Sequence, residues 1–409
     1  MKEKNGKVYN IDKKKKTYDK MNFTLDHPVR VEFGNGKSNE LAKFCGLYGK
    51  KVFIVTMQEL ETLGLLDNAK YGFERESIEY TLFSDVKPEP KKNDFNDAVE
   101  LIRKGGYDVI VGFGGGSCID FAKALAICAT HENDAWSYVN LSSKPPDTIY
   151  PQKVLPVIAV PTTSGTGSEV TPYAVIINPD TIQEGTIKDP SIYPKIAIVD
   201  PELMLGLPKK WTAITGIDAF SHSLESYFNK TNRTSFSDMI CIEGMKWIVK
   251  SLPKAYQDGS NLQARAGVAY GATLGGIAIS LAGTTVGHAL VHPTDARIGT
   301  PHGISVSIYM LSVLRHTLPV DIDRFSKIVR IINPSIDHNQ NGFIEKGLQS
   351  IESFISQFDF PRKLSDYGVS EEMIDVIVDD TISYMFRPLN QHVKKFTRGE
   401  LRQIVIESY

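Results

Sequence analysis

The chain of 409 residues is long enough for two or three domains of about 150 residues each. Its 42% hydrophobic and 23% charged residues are typical of a folded globular protein. Because 46 Lys and Arg residues nearly balance 48 Asp and Glu residues, the composition argues against nucleic acid or an anionic membrane as the partner. A small-molecule ligand is therefore expected.

The amino-terminal segment, residues 1–22, is lysine-rich and has no apolar periodicity, so we expect a flexible tail. The four cysteines (Cys45, Cys118, Cys128, Cys241) form no CxxC pair and no secretory leader is recognisable, which predicts a cytoplasmic protein. Residues 266–294 lack Asp, Glu, Lys and Arg but contain six glycines, so a buried helical hairpin is favoured over a membrane span.

Short β-branched runs alternate with amphipathic segments from about Val29 onward. Strands are predicted over Val52–Thr56, Tyr107–Phe113, Leu155–Val160 and Ile196–Val199, and helices over Phe95–Arg103 and Asp120–Ala129. This alternation predicts a Rossmann-like, doubly wound parallel sheet in an α/β domain over residues 23–205. After Asp200 the strand signals fade, and the spacing of apolar residues predicts an all-helical domain over residues 206–409.

Two polar, glycine-rich loops follow predicted strands. Gly114, Gly115, Gly116 and Ser117 precede a helical segment, and free N–H groups at such a helix start can bind a pyrophosphate. This run lacks GxGxxG spacing, so an ordinary tight turn is an equal alternative. The second loop, Pro161–Thr171, is rich in hydroxyl groups. Because both loops lie at the carboxyl edge of the sheet, together they favour a nucleotide site.

Acidic and imidazole side chains recur at helical spacing in the second half. Asp218 and His222 are four residues apart, as are His288 and His292, and His302 follows. A buried cluster of this kind is most economically satisfied by a divalent cation, and Zn²⁺ or Fe²⁺ suits these ligands. A single histidine here would more often be a hydrogen-bonded core residue.

These segments together resemble the iron-containing, metal-dependent alcohol dehydrogenase family. Gly114–Lys123 resembles its GGGSxxDxAK motif, Pro161–Thr171 its PTTxGTGSEVT motif, and Ala197–Leu203 its AIVDPEL motif. The regions Gly216–His222 and Gly287–Gly303 resemble its metal-binding segments. The resemblance extends from about Phe23 to beyond Arg387.

The resemblance implies an α/β nucleotide-binding domain and an all-helical metal domain, an architecture shared with dehydroquinate synthase. It implies a homodimer, NAD or NADP as cofactor, Fe²⁺ with Zn²⁺ as the alternative, and a small alcohol or aldehyde as substrate. The implied metal ligands are Asp218, His222, His288 and His302. The implied cofactor-binding residues are Met57, Gly114, Gly115, Gly116, Ser117, Asp120, Thr162, Thr163 and Thr166. His292 matches a histidine near the nicotinamide that does not bind the metal, and either a proton-relay or a packing role is open.

Three positions depart from the family pattern. Met57 replaces the usual aspartate that contacts the adenosine ribose, although Glu59 is near, so we expect NADPH to be tolerated. Glu184 replaces a lysine near the nicotinamide ribose, and Lys188 is a candidate substitute. Arg297 is expected either to hold an anionic substrate group or to form a salt bridge with Asp295.

Three other functions remain open on the sequence alone. A dehydroquinate-synthase-like lyase would use the same metal and nicotinamide without net oxidation. A metal-dependent hydrolase would bind a phosphate ester in the glycine loops. A nucleotide-sensing module would leave the Asp and His cluster without a purpose.

Overall fold

The computed structural model describes residues 22–409 apart from positions 319 and 361. The predicted lysine-rich tail therefore lies outside the described residues, except for Asn22.

A parallel sheet of six strands forms the centre of the amino-terminal half. The strands of the chain are β1 (Arg30–Phe33), β2 (Lys51–Val55), β3 (Glu79–Phe83), β4 (Val109–Gly114), β5 (Val157–Pro161), β6 (Tyr173–Asn178), β7 (Gln183–Lys188) and β8 (Ile196–Val199). The sheet has the order β1-β8-β5-β4-β2-β3. In its centre, Val111 of β4 lies opposite Ile54 of β2 and Ile158 of β5.

Helices cover both faces of this sheet. They are α1 (Leu41–Cys45), α2 (Gln58–Thr62), α3 (Asp67–Arg75), α4 (Asn96–Gly105) and α5 (Gly116–Cys128). Alternate residues of each strand enter two separate cores: Phe53 and Ile110 pack with Phe121 of α5, whereas Ile54 and Val111 pack toward α1 and α3. Because strands buried on both faces read as continuous apolar runs, this explains the β-branched segments of the sequence. The predicted doubly wound parallel sheet is confirmed.

An antiparallel hairpin of β6 and β7 was not predicted. Its strands pair from Tyr173 opposite Lys188 to Asn178 opposite Gln183. It packs against α5, and this contact brings β7 toward the helical half.

The carboxyl-terminal half is helical, as predicted. Its helices are α6 (Lys209–Phe228), α7 (Ser235–Gln257), α8 (Leu262–Ala282), α9 (Val286–Ile298), α10 (His302–Thr317), α11 (Ile322–Ile332), α12 (Phe343–Ile355), α13 (Glu371–Tyr384), α14 (Phe386–Gln391) and α15 (Arg398–Ser408). The last strand ends at Val199 and the first of these helices begins at Lys209, on either side of the predicted boundary.

The segment 266–294 is a corner rather than the expected hairpin. The chain bends by 103° between helices α8 and α9, across a turn in which Gly283 has a φ of +83°. Among the described residues no single helix has the length and apolar content to span a membrane, and only the bent pair of α8 and α9 passes by length and composition.

Candidate metal and nucleotide site

Helix α6 presents three ionisable side chains along one stripe. Asp218, His222 and Glu225 follow one another at intervals of four and three residues, which places them on one face of the helix. All three are buried. Helix α9 repeats the pattern with His288, His292 and Asp295, which are also buried. The site lies where these two stripes face each other.

The stripes and the first residue of α10 form one cluster. Donor atoms of Asp218, His288 and His302 all lie within 4.8 Å of one another. His222 lies beside this group, with its Nε2 3.6 Å from Asp218 Oδ1 and its ring centroid 5.0 Å from that of His288. The four residues expected to bind the metal are therefore neighbours, although His222 is outside the tightest group.

Several polar atoms of this cluster have no hydrogen-bond partner among the described residues: Asp218 Oδ1, His222 Nδ1 and His288 Nε2. Burial raises the pKa of Asp218 and lowers the pKa of His288, and it lowers the pKa of His222 to about 4. Unpartnered buried polar atoms are costly. A cation between them would satisfy them together, so the donor set fits a divalent metal.

Glu225 is a residue of the site that the sequence analysis missed. Its carboxylate accepts hydrogen bonds from Thr285 N at 2.6 Å, Thr285 Oγ1 at 3.0 Å, His288 N at 3.2 Å and His288 Nδ1 at 2.8 Å. Burial alone would raise its pKa, but His288 and Thr285 lower it to about 2. Because a carboxylate only accepts, His288 must carry its proton on Nδ1, which leaves Nε2 free for a metal. The α6 spacing was the available signal.

Glycine at position 287 makes this approach possible. A Cβ at Gly287 would lie 2.3 Å from Glu225 Oε1, so a side chain here would displace the carboxylate. Glu225 thereby reaches the free N–H groups at the start of α9, which it caps from a neighbouring helix.

A second buried histidine continues this network away from the cluster. The Nδ1 of His392 lies 3.0 Å from Thr285 Oγ1, and its Nε2 lies 2.8 Å from Thr317 Oγ1. Burial lowers the pKa of His392 to about 4. It is a core residue.

Asp295 supports His302 as Glu225 supports His288. His302 Nδ1 lies 3.1 Å from Asp295 Oδ2, and the Ser305 hydroxyl donates to Asp295 Oδ1. Burial alone would lower the pKa of His302, but Asp295 and the neighbouring carboxylates raise it. The side chain of His302 is 29% exposed, whereas the other three expected ligands are buried. The cluster is therefore accessible from outside at this histidine.

The expected salt bridge between Asp295 and Arg297 is wrong. Arg297 pairs with Asp380 on α13 and donates to the Pro293 carbonyl at 2.8 Å. Asp295 precedes Arg297 by two residues, so the two side chains leave α9 in different directions, and Asp295 contacts His302 and Ser305 instead. The guanidinium is thus committed to α13.

His292 contacts Glu184 of β7. Its Nδ1 lies 2.9 Å from Glu184 Oε1, an ion-pair distance at which the hydrogen-bond geometry is not met. Its ring lies 5.8 Å from that of His302, edge to face. Burial alone would raise the pKa of Glu184, but the surrounding imidazoles, foremost that of His292, lower it. The hairpin that places Glu184 here was not predicted. The family resemblance, which puts both residues near the nicotinamide, was the available signal for their contact.

Lys188 does not take the place of the family lysine. It lies four residues further along β7, about 13 Å from Glu184 along the strand. Its Nζ lies 5.3 Å from the centre of the Tyr173 ring.

The two glycine-rich loops form one continuous surface. Thr162 N donates to Gly114 O at 2.9 Å, and a Cβ at Gly116 would lie 2.5 Å from Thr166 Cγ2. Similarly, a Cβ at Gly115 would lie 3.5 Å from Thr163. Helix α5 begins at Gly116, so its first N–H groups lie beside this surface, and a pyrophosphate site here stays a prediction.

Asp120 lies in a buried network beneath the second loop. It accepts hydrogen bonds from the Ser168 hydroxyl and from Val175 N at 3.0 Å. Lys123 donates to Ser168 Oγ at 2.6 Å and to Tyr173 O at 2.7 Å, and burial lowers the pKa of Lys123 to about 8. One oxygen of Asp120 thus holds the second loop through Ser168, and the other holds β6 through Val175.

Met57 lies at the carboxyl end of β2, at the start of α2. Its backbone forms an isolated bridge with Asp85, and its side chain packs against the core on the α5 face of the sheet. Glu59 is exposed on the first turn of α2. The position expected to contact the adenosine ribose is thus apolar, with carboxylates close by.

The second glycine-rich loop contacts the helical half through a pair of glycines. Gly167, with a φ of +63°, packs on Gly276 of α8 so closely that a Cβ at Gly167 would lie 2.3 Å from Gly276 Cα. Beside this contact, Thr273 donates to Glu169 at 3.0 Å.

Comparison with known proteins identifies the family. Residues 28–201 match the iron-containing alcohol dehydrogenase domain, and residues 212–409 match the carboxyl-terminal domain of the Fe-containing alcohol dehydrogenase family. The chain belongs to the iron-containing alcohol dehydrogenase family. This confirms the resemblance and the expectation of a metal-dependent oxidoreductase acting on alcohols or aldehydes.

Individual members of this alcohol dehydrogenase family are similar over most of their length. The 1,3-propanediol dehydrogenase of Citrobacter freundii is 32% identical over 343 residues, 83% of this chain and 87% of that protein. The NAD-dependent methanol dehydrogenase of Bacillus methanolicus is 30% identical over 382 residues, 92% and 97% of the two chains. The structure of an archaeal alcohol dehydrogenase from a Red Sea brine pool superposes with a TM-score of 0.89 at 28% identity, covering 95% and 99%.

Proposed function

We propose that this alcohol dehydrogenase interconverts a small alcohol and its aldehyde with NAD(H), at a metal held by Asp218, His222, His288 and His302. The observation that supports this best is the group of Asp218, His288 and His302 donor atoms within 4.8 Å. The unpartnered buried atoms of Asp218, His222 and His288 add to it. The names of relatives support small alcohols as substrates and NAD as cofactor.

Fe²⁺ is the proposed metal because the family is iron-containing. Three imidazoles and one carboxylate suit Zn²⁺ equally well, so the loaded metal depends on supply as well as on the ligands. Glu225 and Asp295 hold the Nδ1 protons of two ligand imidazoles, which keeps each Nε2 directed to the metal. When bound, the metal polarises the substrate oxygen and the nicotinamide exchanges a hydride with the substrate carbon.

The cofactor would lie across the two loops, with its pyrophosphate at Gly114, Gly115, Gly116 and Ser117. We propose that Thr162, Thr163 and Thr166 line this surface, and that Asp120 contributes by holding the second loop through Ser168. At the adenosine end Met57 stands in place of the aspartate whose carboxylate would repel a 2′-phosphate. NADPH is therefore accepted as well as NADH.

His292 would lie on the substrate side of the metal, beside the exposed His302. With Glu184 at its Nδ1, the imidazole is positioned to present Nε2 to the cleft, where it can accept or return the proton of the substrate hydroxyl. Protein residues thus position the reactants and move one proton.

A cytoplasmic location and a homodimer complete the proposal. The four cysteines are all unpaired and buried, which suits a reducing compartment. The outer edge of β1 is unpaired in the described chain, and Phe33 on this strand and the neighbouring Tyr270 are partly exposed, which suits a second copy as its cover. Light scattering would show a mass of twice 45.4 kDa.

The decisive experiment is anaerobic loading with Fe²⁺ or Zn²⁺, followed by the oxidation rates of NADH and NADPH on a panel of short aldehydes. The expected result is metal-dependent oxidation that is lost in His288→Ala and retained in His338→Ala, which alters an exposed histidine on another surface. Cofactor binding without net oxidation in metal-loaded protein would favour a dehydroquinate-synthase-like lyase. Metal-dependent hydrolysis of a phosphate ester without nicotinamide would favour a hydrolase.

A further inference from the structure

The nicotinamide end of a bound cofactor has a restricted location in this cleft. The proposed function places the pyrophosphate at the start of α5, and hydride transfer requires the nicotinamide ring within van der Waals contact of a substrate at the metal cluster. The ring must therefore lie between Ser117 and the pair His292 and His302. Side chains on this path act on the part of the cofactor that changes charge.

Glu89 lies on this path and is held there. Its backbone N–H donates to Ser117 Oγ at 3.2 Å, which ties it to the glycine loop. Its φ of +55° is unfavourable for a residue with a side chain, and the next residue, Pro90, is fixed on β6 through its carbonyl, which accepts from Ile177 N at 2.9 Å. Its carboxyl is within electrostatic reach of Asp295, Glu184 and His302. Burial and the like charges of Asp295 and Glu184 raise its pKa to about 7, although His302 opposes the shift.

Glu184 supplies a second carboxylate to the same space from another element. It is only 3% exposed, and its Oε1 lies next to His292. It stands where the family resemblance predicts a lysine, so the charge at this position is reversed.

Positive side chains near this space have partners of their own. His302, whose pKa is raised, is balanced by Asp295, whose Oδ2 lies 3.1 Å from His302 Nδ1. Arg297 pairs with Asp380, and Lys188 lies over the Tyr173 ring. Lys91 acts on Glu89 and offsets part of its charge. The space between the glycine loop and the metal cluster is thus more negative than positive.

We propose that Glu89 and Glu184 make the nicotinamide end of the cleft select the oxidised cofactor, whose ring is cationic, over the reduced cofactor, whose ring is neutral. This inference rests on the proposed nicotinamide-linked function. The two cofactor forms share their adenosine and pyrophosphate, so only residues beside the ring can distinguish them. An enzyme of this kind holds NAD⁺ ready for alcohol oxidation and releases NADH readily.

The test measures dissociation constants of NAD⁺ and NADH by titration calorimetry at pH 8.5, above the raised pKa of Glu89, so that its carboxylate is charged. It is made without alcohol or aldehyde, in both metal-free and Zn²⁺-loaded protein. The variants are Glu89→Gln, Glu184→Gln and the double variant. Each single change should lower the preference for NAD⁺ on the order of tenfold, the effect of one carboxylate about 8 Å from the ring in a partly solvated site. The double variant should lower it further.

Glu59→Gln is the matched control, because it removes the same charge at the adenosine end and should leave the ratio of the two constants unchanged. Binding of both forms with ratios unaltered in Glu89→Gln and the double variant would overturn the inference and leave the proposed function standing. Should Glu184→Gln fail to fold, an unaltered ratio in Glu89→Gln alone overturns it. Absence of binding of either form to the wild type would refute the proposed function itself.

Discussion

Replacing Glu225 by glutamine tests the arrangement that supports the metal. The carboxylate accepts four hydrogen bonds, whereas an amide oxygen accepts fewer and its NH₂ group meets donors. Lowering the pKa of a buried carboxyl from the usual 4.5 to about 2 corresponds to about 3 kcal/mol of stability at neutral pH. We therefore expect Glu225→Gln to lower the free energy of unfolding of the metal-free protein by up to about 3 kcal/mol.

The same substitution should weaken the metal site. Without a carboxylate at Nδ1, His288 is no longer held in the tautomer that directs Nε2 to the metal. Loss of such a partner typically costs about 10- to 100-fold in metal affinity. Cofactor binding should change little, because the glycine loops lie in the other half of the chain.

Two assays separate these effects. Urea unfolding at pH 7 gives the stability of the metal-free protein, and competition with a coloured chelator gives the Zn²⁺ affinity. Glu352→Gln, an exposed change on α12, is the control. The stability difference from the wild type should shrink as pH falls from 4.5 toward 2, because Glu225 of the unfolded wild-type chain is protonated over this range while the folded carboxylate stays ionised. A variant with wild-type stability and Zn²⁺ affinity within twofold of the wild type would refute this reasoning.

Three further outcomes follow from the same structure. The pKa of His302 is raised, so a metal must displace its proton in order to bind. Chelator competition should therefore show the Zn²⁺ affinity rising from pH 6 to pH 8, by up to about tenfold per pH unit. An affinity that does not change with pH would contradict this. The pKa of His392 in the folded state is lowered to about 4, so only the unfolded state gains its proton as pH falls from 6.5 to 4. Urea melts should therefore show that the free energy of unfolding falls by up to about 3 kcal/mol over this range, and by less in His392→Gln. Equal losses in the two proteins would exclude this histidine as the cause. Met57→Asp should raise the Kd of NADPH at least about tenfold and leave that of NADH within about threefold, since the new carboxylate repels only a 2′-phosphate; parallel changes would show that position 57 does not contact the ribose.

The sequence predicted those parts of the fold that depend on local pattern. Buried strands such as β4 read as continuous apolar runs, and Gly114–Ser117 marks the point where strand turns into helix. Asp218 and His222 were identifiable because a helix places residues four apart on one face.

Features set by packing between distant elements were less accessible. Glu225 meets His288 only because α6 packs across the start of α9, with Gly287 leaving room, and neither fact is encoded locally. Glu184 belongs to a short hairpin whose strands have no strong alternation. A salt bridge with Asp295 was one of two roles expected for Arg297, on the basis of proximity in sequence, whereas the packing of α9 on α13 pairs Arg297 with Asp380.

The contact between Gly167 and Gly276 determines how closely the second glycine-rich loop approaches the helical half. One side of this contact belongs to the loop that carries the cofactor surface, and the other belongs to the helix next to the metal-bearing helices. A methyl group on either glycine would push the loop and the helix apart. In the proposed reaction this would increase the distance between the nicotinamide ring and the substrate carbon without changing the binding pocket of either. Since a displacement of about 1 Å can reduce a reaction rate by about 100-fold, we expect alanine at either glycine to slow the proposed hydride transfer although both glycines lie away from the reacting atoms.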